Sequence, residues 1–235
     1  MINSAMIMAA GLGTRMRPLT DDRPKPLVTV GGRALIDHAL DRLVDAGVGK
    51  AVINLHYKAQ MLRDHLDRRR DIEIHYSLES DALLGTGGGV ARALPRFGGE
   101  AFFVLNSDSI WMEHGAPALP RMIKEWDATR MDGLLLLADR ATALGYDGRG
   151  DFVKDAGGHL GRVPSGATSP FAYPGVQIIH PRLFADSPEG EFSTNLMWDR
   201  AIAAGRLYGT VLDGQWIHVG DPAARAEADA LLAQA

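Results

Sequence analysis

The stretch "MIMAAGLGTRMRPLTDDRPKPLVTVGG", Met6 to Gly32, runs from apolar residues into Gly11 and Gly13, then through Arg15, Arg17 and Arg23 to Lys25 between two prolines. A strand ending at Ala10 and entering Gly11-Leu12-Gly13-Thr14-Arg15 makes a tight turn whose bare amides can face an anion. The dinucleotide fingerprint needs a small residue where Met16 stands. It also needs a carboxylate after the second strand, which ends instead near Asn54 and His56. The ATPase loop needs Gly, Lys and a hydroxyl residue where Met16, Arg17 and Pro18 stand. Both are excluded. What remains is a glycine turn with arginines inside it and a lysine beyond. Prolines fix their own φ and push the preceding residue toward extended backbone, so Arg23 and Lys25 are expected to be extended and Lys25 pre-placed.

Outward from this stretch, apolar runs of strand length recur at Ala5–Ala10, Ala51–Leu55, Ile72–Tyr76, Ala101–Leu105 and Leu134–Ala138. Helical spacing lies between them at Ala34–Ala46, Ala59–Arg70 and Leu119–Trp126. The alternation predicts an α/β fold: Rossmann-like, three layers (α/β/α), with a mostly parallel mixed sheet covered on both faces. After Asp139 the chain is rich in Gly, Pro, Ser and Asp, and short strands and loops able to grip a second substrate are expected beside the sheet. A helix at Thr194–Ala204, a strand at Leu207–Leu212 and a helix at Pro222–Ala233, capped by Asp221, complete the reading. One domain spanning 1–235 is expected.

Among the 235 residues, 46% are hydrophobic, 23% are charged and none is cysteine, as in an ordinary globular protein without disulfides or thiolate chemistry. The net charge of −4 and interspersed signs argue against a general nucleic-acid surface. No apolar run approaches the roughly 18–20 residues that span a bilayer, and no basic, apolar leader is visible; a cytoplasmic protein is expected.

"AAGLGTRMRPLTDDRPKPL" resembles the signature of the nucleoside-diphosphate-sugar pyrophosphorylases, the sugar-1-phosphate nucleotidyltransferases. Similarity extends through "LLGTGGG" (Leu83–Gly89), "FFVLNSDSIW" (Phe102–Trp111), "YPGVQIIHP" (Tyr173–Pro181) and "GQWIHVGDP" (Gly214–Pro222). Within the family the chain looks most like short bacterial members that activate N-acetylmuramic acid 1-phosphate with UTP in cell-wall recycling. Mannose-1-phosphate guanylyltransferases are the rival. The resemblance implies attack of a sugar-phosphate oxygen on the α-phosphorus of a nucleoside triphosphate, with pyrophosphate leaving. The nucleophile is already ionised, so positioning and preorganised positive charge replace a general base.

The resemblance implies catalytic Arg15, Lys25 and Asp108. It implies nucleotide contacts from Ala10, Gly11, Gly13, Thr14, Arg15, Lys25, Glu79, Gly87, Gly88 and Asn106, and sugar-phosphate contacts from Gly150, Asp151, Gly175 and Asn195. Residues 1–138 would mainly bind nucleotide and 139–235 mainly sugar phosphate. A magnesium ion would sit on Asp108, at the end of an apolar strand, and on His218, which stands where the family's W-x-D-x-G motif carries aspartate. Imidazole suits Mn²⁺ better than Mg²⁺, so Mn²⁺ is an alternative, as is Asp221 in place of His218. The E-K-P motif found around the sugar phosphate in many relatives is absent, and Lys154 in "GRGDFVKD" is not given its role.

The expected partners are a nucleoside triphosphate and a sugar 1-phosphate, with neither nucleic acid nor membrane, on a monomer or homodimer. The chain ends soon after its last helix, so no added C-terminal domain is expected. A catalytically silent sugar-nucleotide sensor is a second reading, disfavoured by the presence of Lys25 and Asp108. A molybdenum-cofactor or polyol-phosphate nucleotidyltransferase is a third.

Overall fold

The apolar run around Met6 forms strand β1 (Ser4–Met8), whose side chains alternate between two buried layers: Ala5 and Ile7 face one apolar core, Met6 the other. This double burial is why the strand reads as continuously apolar. The structure, a computed structural model, describes residues 2–80 and 82–233. After β1 come the short strands β2 (Thr29–Val30) and β3 (Arg33–Ala34), helix α1 (Leu35–Asp45), β4 (Lys50–Leu55), α2 (Ala59–Leu66) and β5 (Glu73–Leu78). Next are α3 (Gly85–Ala93), β6 (Phe102–Asn106), β7 (Ser109–Glu113), α4 (Ala118–Glu125) and β8 (Gly133–Asp139). The later chain supplies β9 (Phe152–Lys154), β10 (Leu160–Arg162), β11 (Phe171–Ala172), β12 (Val176–Ile179), α5 (Asn195–Ala203), β13 (Leu207–Val211), β14 (Gly214–His218) and α6 (Pro222–Leu232).

The central sheet runs β10-β9-β11-β8-β12-β6-β1-β4-β5, with β13 on β8. Strands β1, β4, β5 and β6 are mutually parallel, β12 runs antiparallel between β6 and β8, and β13 is parallel to β8. Helices α1, α2 and α4 cover one face through residues such as Leu40, Leu62 and Met122. On the other face α3 and α5 contribute Val90, Ala93, Met197 and Trp198. The three-layer mixed α/β fold is therefore as expected. Among the described residues no helix is long and apolar enough to cross a membrane.

One local expectation is corrected and two features are new. The second helix stops at Leu66 rather than Arg70, because Arg69 turns back to Asp37 and Asp41 on α1 as well as to Asp71. "GTGGG" forms the first turns of α3. Strands β7 and β14 pair antiparallel, His218 opposite Ser109, a contact that the sequence does not signal.

Candidate active site

Parallel strands end together, and their carboxyl ends carry the first cavity, of about 540 Å³. Ala10, Gly11, Gly13, Thr14 and Arg15 form one wall; Asn54, Glu79, Asn106 and Asp108 come from the ends of β4, β5 and β6. Gly13 takes φ +65°, and a Cβ there would lie 3.0 Å from the Cβ of Lys25, so glycine supplies both the turn and the approach of the lysine. Thr14–Met16 is a single 3₁₀ turn in which the Met16 N–H donates to the Gly13 carbonyl. Met16 is fully buried among Val28, Val30, Ile110 and Ile217, which anchors the loop.

Lys25 is not extended: it opens a 3₁₀ turn, Lys25–Leu27, with the Leu27 N–H donating to the Pro24 carbonyl. The turn's own hydrogen bonds override the pre-proline preference at Lys25, while Pro24 and Val28 on either side of the turn are extended. Lys25 Nζ donates to Asp108 Oδ2 at 2.5 Å, both side chains mostly buried. Arg17 and Arg23 lie outside both cavities described here and pair with Asp21 and Asp22 on the exposed surface.

Glu79 is only 1% exposed. Its Oε1 accepts from Asn54 Nδ2 at 2.7 Å and its Oε2 from the Leu84 N–H at 3.1 Å, while Asn54 Oδ1 accepts from the Ala9 N–H at 2.6 Å. One buried network thus ties the glycine loop to the ends of β4 and β5. Asn54 is a member that sequence reasoning missed; as an amide at a strand end it carries no motif.

A second cavity of about 370 Å³ adjoins the first, and Arg15, Asn106 and Asp108 line both. Its remaining wall comes largely from the later half: Tyr146, Asp151, Tyr173, Trp198, Trp216 and His218 among others. Asp151 Oδ2 accepts from the Tyr146 hydroxyl and the Tyr173 N–H. Burial and the neighbouring Asp151 push the Tyr146 phenol up to about 12, so it remains a donor. Asn195 also lines this cavity, but its Oδ1 and its carbonyl accept from Arg162 Nη2.

The His218 ring meets Tyr146 edge-on and lies tilted against Trp216, with Gly220 leaving room for it. Burial pulls the imidazole below the usual histidine value; Asp108 and Asp221 oppose the shift, and Lys25 and Arg15 reinforce it. Asp221 caps α6, its Oδ1 accepting from the Ala224 N–H at 2.9 Å, as its place before Pro222 suggests. Among the described residues no three His, Asp or Glu side chains cluster as metal ligands.

Four predicted glycines lie elsewhere than the cavity walls. Gly87 and Gly88 are buried in α3, where a Cβ would strike the Phe192 ring and the Gly190 carbonyl respectively. Their smallness serves the packing of α3 on segment 190–193; it is Gly85 and Thr86 that reach the first cavity. Gly150 and Gly175 take φ +83° in turns behind the second cavity, and Gly175 accepts the Asn106 N–H through its carbonyl.

A glycine loop on the carboxyl ends of parallel strands, opening through shared polar residues into a second cavity, defines a nucleotide-handling α/β transferase. The family described as Nucleotidyl transferase matches residues 4–146, and the chain belongs to it; it is a nucleotidyltransferase. It is 47% identical to the N-acetylmuramate alpha-1-phosphate uridylyltransferase of Caulobacter vibrioides over 98% of this chain and 97% of that one. It is 28% identical to the mannose-1-phosphate guanylyltransferase catalytic subunit beta of Dictyostelium discoideum over 93% of this chain and 61% of that one. A UDP-glucose pyrophosphorylase solved with UDP-glucose shares the fold, with a TM-score of 0.81 at 19% identity, over 100% of this chain and 99% of that one.

Proposed function

We propose that the chain transfers uridylyl from UTP to N-acetylmuramic acid 1-phosphate, releasing pyrophosphate. The observation that carries this reading is the shared wall of two cavities, where Arg15, Asn106 and Asp108 face both spaces. A triphosphate in the first and a sugar phosphate in the second meet there. The near-complete overlap with the Caulobacter vibrioides enzyme supports the choice of substrates. In this division of labour residues 1–138 mainly hold the nucleotide and 139–235 mainly the sugar. The division is not strict, since Glu191 and Gly220 line the first cavity and Arg15 and Asp108 the second.

A sugar-phosphate oxygen forms the new bond to the α-phosphorus as the bond to the bridging β-phosphate oxygen breaks. Both reactants are anions, so the obstacle is repulsion. Arg15 grips phosphate oxygens with its planar fork, and the amides of Ala10–Thr14 donate from the turn. Lys25, paired with Asp108 in the free enzyme, exchanges that partner for the triphosphate. The exchange frees a carboxylate oxygen.

Asp108 and His218 would hold a divalent cation, with water and phosphate supplying its other oxygens. A single carboxylate and an imidazole kept neutral by burial fit an ion held mostly by its substrates. Such an ion, when bound, screens phosphate charge. Glu79 and Asn54 would meet the base at the floor of the first cavity.

Pyrophosphate release from UTP, GTP, CTP and dTTP against the 1-phosphates of N-acetylmuramic acid, N-acetylglucosamine, mannose and glucose tests the reading. UTP with N-acetylmuramic acid 1-phosphate is expected to give the highest kcat/KM, lost on chelation and restored by Mg²⁺ or Mn²⁺. A preference for GTP with mannose 1-phosphate would establish the rival that the Dictyostelium discoideum likeness favours, and would leave the transferase class intact.

A further inference from the structure

The second cavity holds a cation that the phosphate chemistry does not call for. Arg162, on β10, lines it together with Arg15, and no lysine does. Arg15 stands on the wall shared with the nucleotide cavity, where the two phosphates must meet; Arg162 faces the second cavity alone. Its guanidinium lies 5.0 Å from the Phe152 ring centroid and 5.7 Å from that of Trp198. Nε donates to Asp199 Oδ1 at 2.7 Å, and Nη2 to the carbonyl and Oδ1 of Asn195 at 3.1 and 3.0 Å. These contacts fix the plane of the fork. Nη1 has no acceptor among the described residues.

The charge is only lightly compensated. Asp199, the one carboxylate paired with Arg162 among the described residues, is 56% exposed, so solvent weakens that pair. The carboxylates inside the cavity are engaged elsewhere, Asp108 with Lys25 and Asp151 with Tyr146 and the Tyr173 N–H. An arginine held by its own protein, with one amino group left over and aromatic rings beneath it, is preorganised to take a planar anion.

We propose that Arg162 reads a carboxylate carried by the acceptor sugar, the 3-O-lactyl group that distinguishes N-acetylmuramic acid from N-acetylglucosamine. Asn195, expected from the sequence to touch sugar, is on this account a positioning residue that aims Arg162. The inference rests on the substrate reading above and assigns its specificity to one side chain.

The test compares wild type with Arg162→Met on the 1-phosphates of N-acetylmuramic acid and N-acetylglucosamine. Calorimetric Kd values for the two UDP-sugars provide a readout independent of turnover. Loss of a charge-assisted contact is expected to lower kcat/KM for the muramic substrate about 10- to 100-fold. The glucosamine substrate is expected to change by less than about threefold, and the Kd ratio of the two products to follow the same pattern. Equal losses on both acceptors would mean that Arg162 meets the phosphate common to them, and loss on neither would leave it a surface ion pair; each overturns the proposal. A wild-type enzyme with no preference for the muramic substrate overturns the substrate reading as well, whereas a wild-type preference that survives in Arg162→Met overturns this assignment alone.

Discussion

The two cavities meet at one wall but are built in opposite ways. The first is made mainly from short sequence pieces: the glycine loop at Met8–Met16, the lysine turn, and residues at or just beyond the ends of β4, β5 and β6. The second gathers side chains from β10, α5, β14 and the turn at Tyr146, which lie far apart in the chain. Chemistry held by backbone amides and one restrained turn can be read locally. Recognition held by side chains from several elements exists only once the sheet has formed. The family model accordingly matches residues 4–146, which build most of the first cavity.

Substitutions can break this contrast at different points. The largest effect is expected from Lys25→Ala, which should lower kcat about 10²- to 10³-fold with every acceptor, by analogy with loss of a preorganised donor elsewhere. Pyrophosphate release measures it, with unchanged circular dichroism showing a folded protein. Gly88→Ala should act on the scaffold alone. The added Cβ meets the Gly190 carbonyl, costing about 1–3 kcal/mol and several degrees of Tm by calorimetry, with kcat retained. A fall in kcat without a fall in Tm would return Gly88 to the nucleotide site.

Smaller changes separate the two ends. Tyr146→Phe removes one hydrogen bond to Asp151 and should raise KM for the sugar phosphate about two- to tenfold, leaving KM for UTP as it was. An equal rise in both KM values would show that the cavities do not divide the substrates. Arg17→Ala should change stability by less than about 0.5 kcal/mol and kcat/KM by less than twofold, because its pairing with Asp21 is exposed. A tenfold loss would place Arg17 with Arg15 among the phosphate contacts.

Legibility followed the same divide. The apolar runs near Met6, Val52, Val104 and Leu135 marked the central strands because both of their faces are buried. Gly13 and Lys25 were legible as a turn and a restrained cation, yet the backbone of Lys25 was misjudged, since a 3₁₀ turn outweighs the local bias before proline. Gly87 and Gly88 of "GTGGG" were expected at the nucleotide by resemblance, whereas their neighbour is segment 190–193, which only folding brings to them. Arg162 sits in a short strand of ordinary polarity, and nothing near it in sequence distinguishes it from a solvated arginine. His218 was legible only by resemblance, and its pairing with β7 came from the structure.

The two phosphates are expected to meet at the wall formed by Arg15, Asn106 and Asp108. A crystal structure with a non-hydrolysable UTP analogue and the sugar 1-phosphate tests it most directly. The triphosphate should lie along Ala10–Arg15, with Lys25 turned from Asp108 to phosphate and a sugar-phosphate oxygen in line with the α-phosphorus at that wall. A triphosphate bound away from Arg15 and Lys25, with the Lys25–Asp108 pair intact, would contradict it.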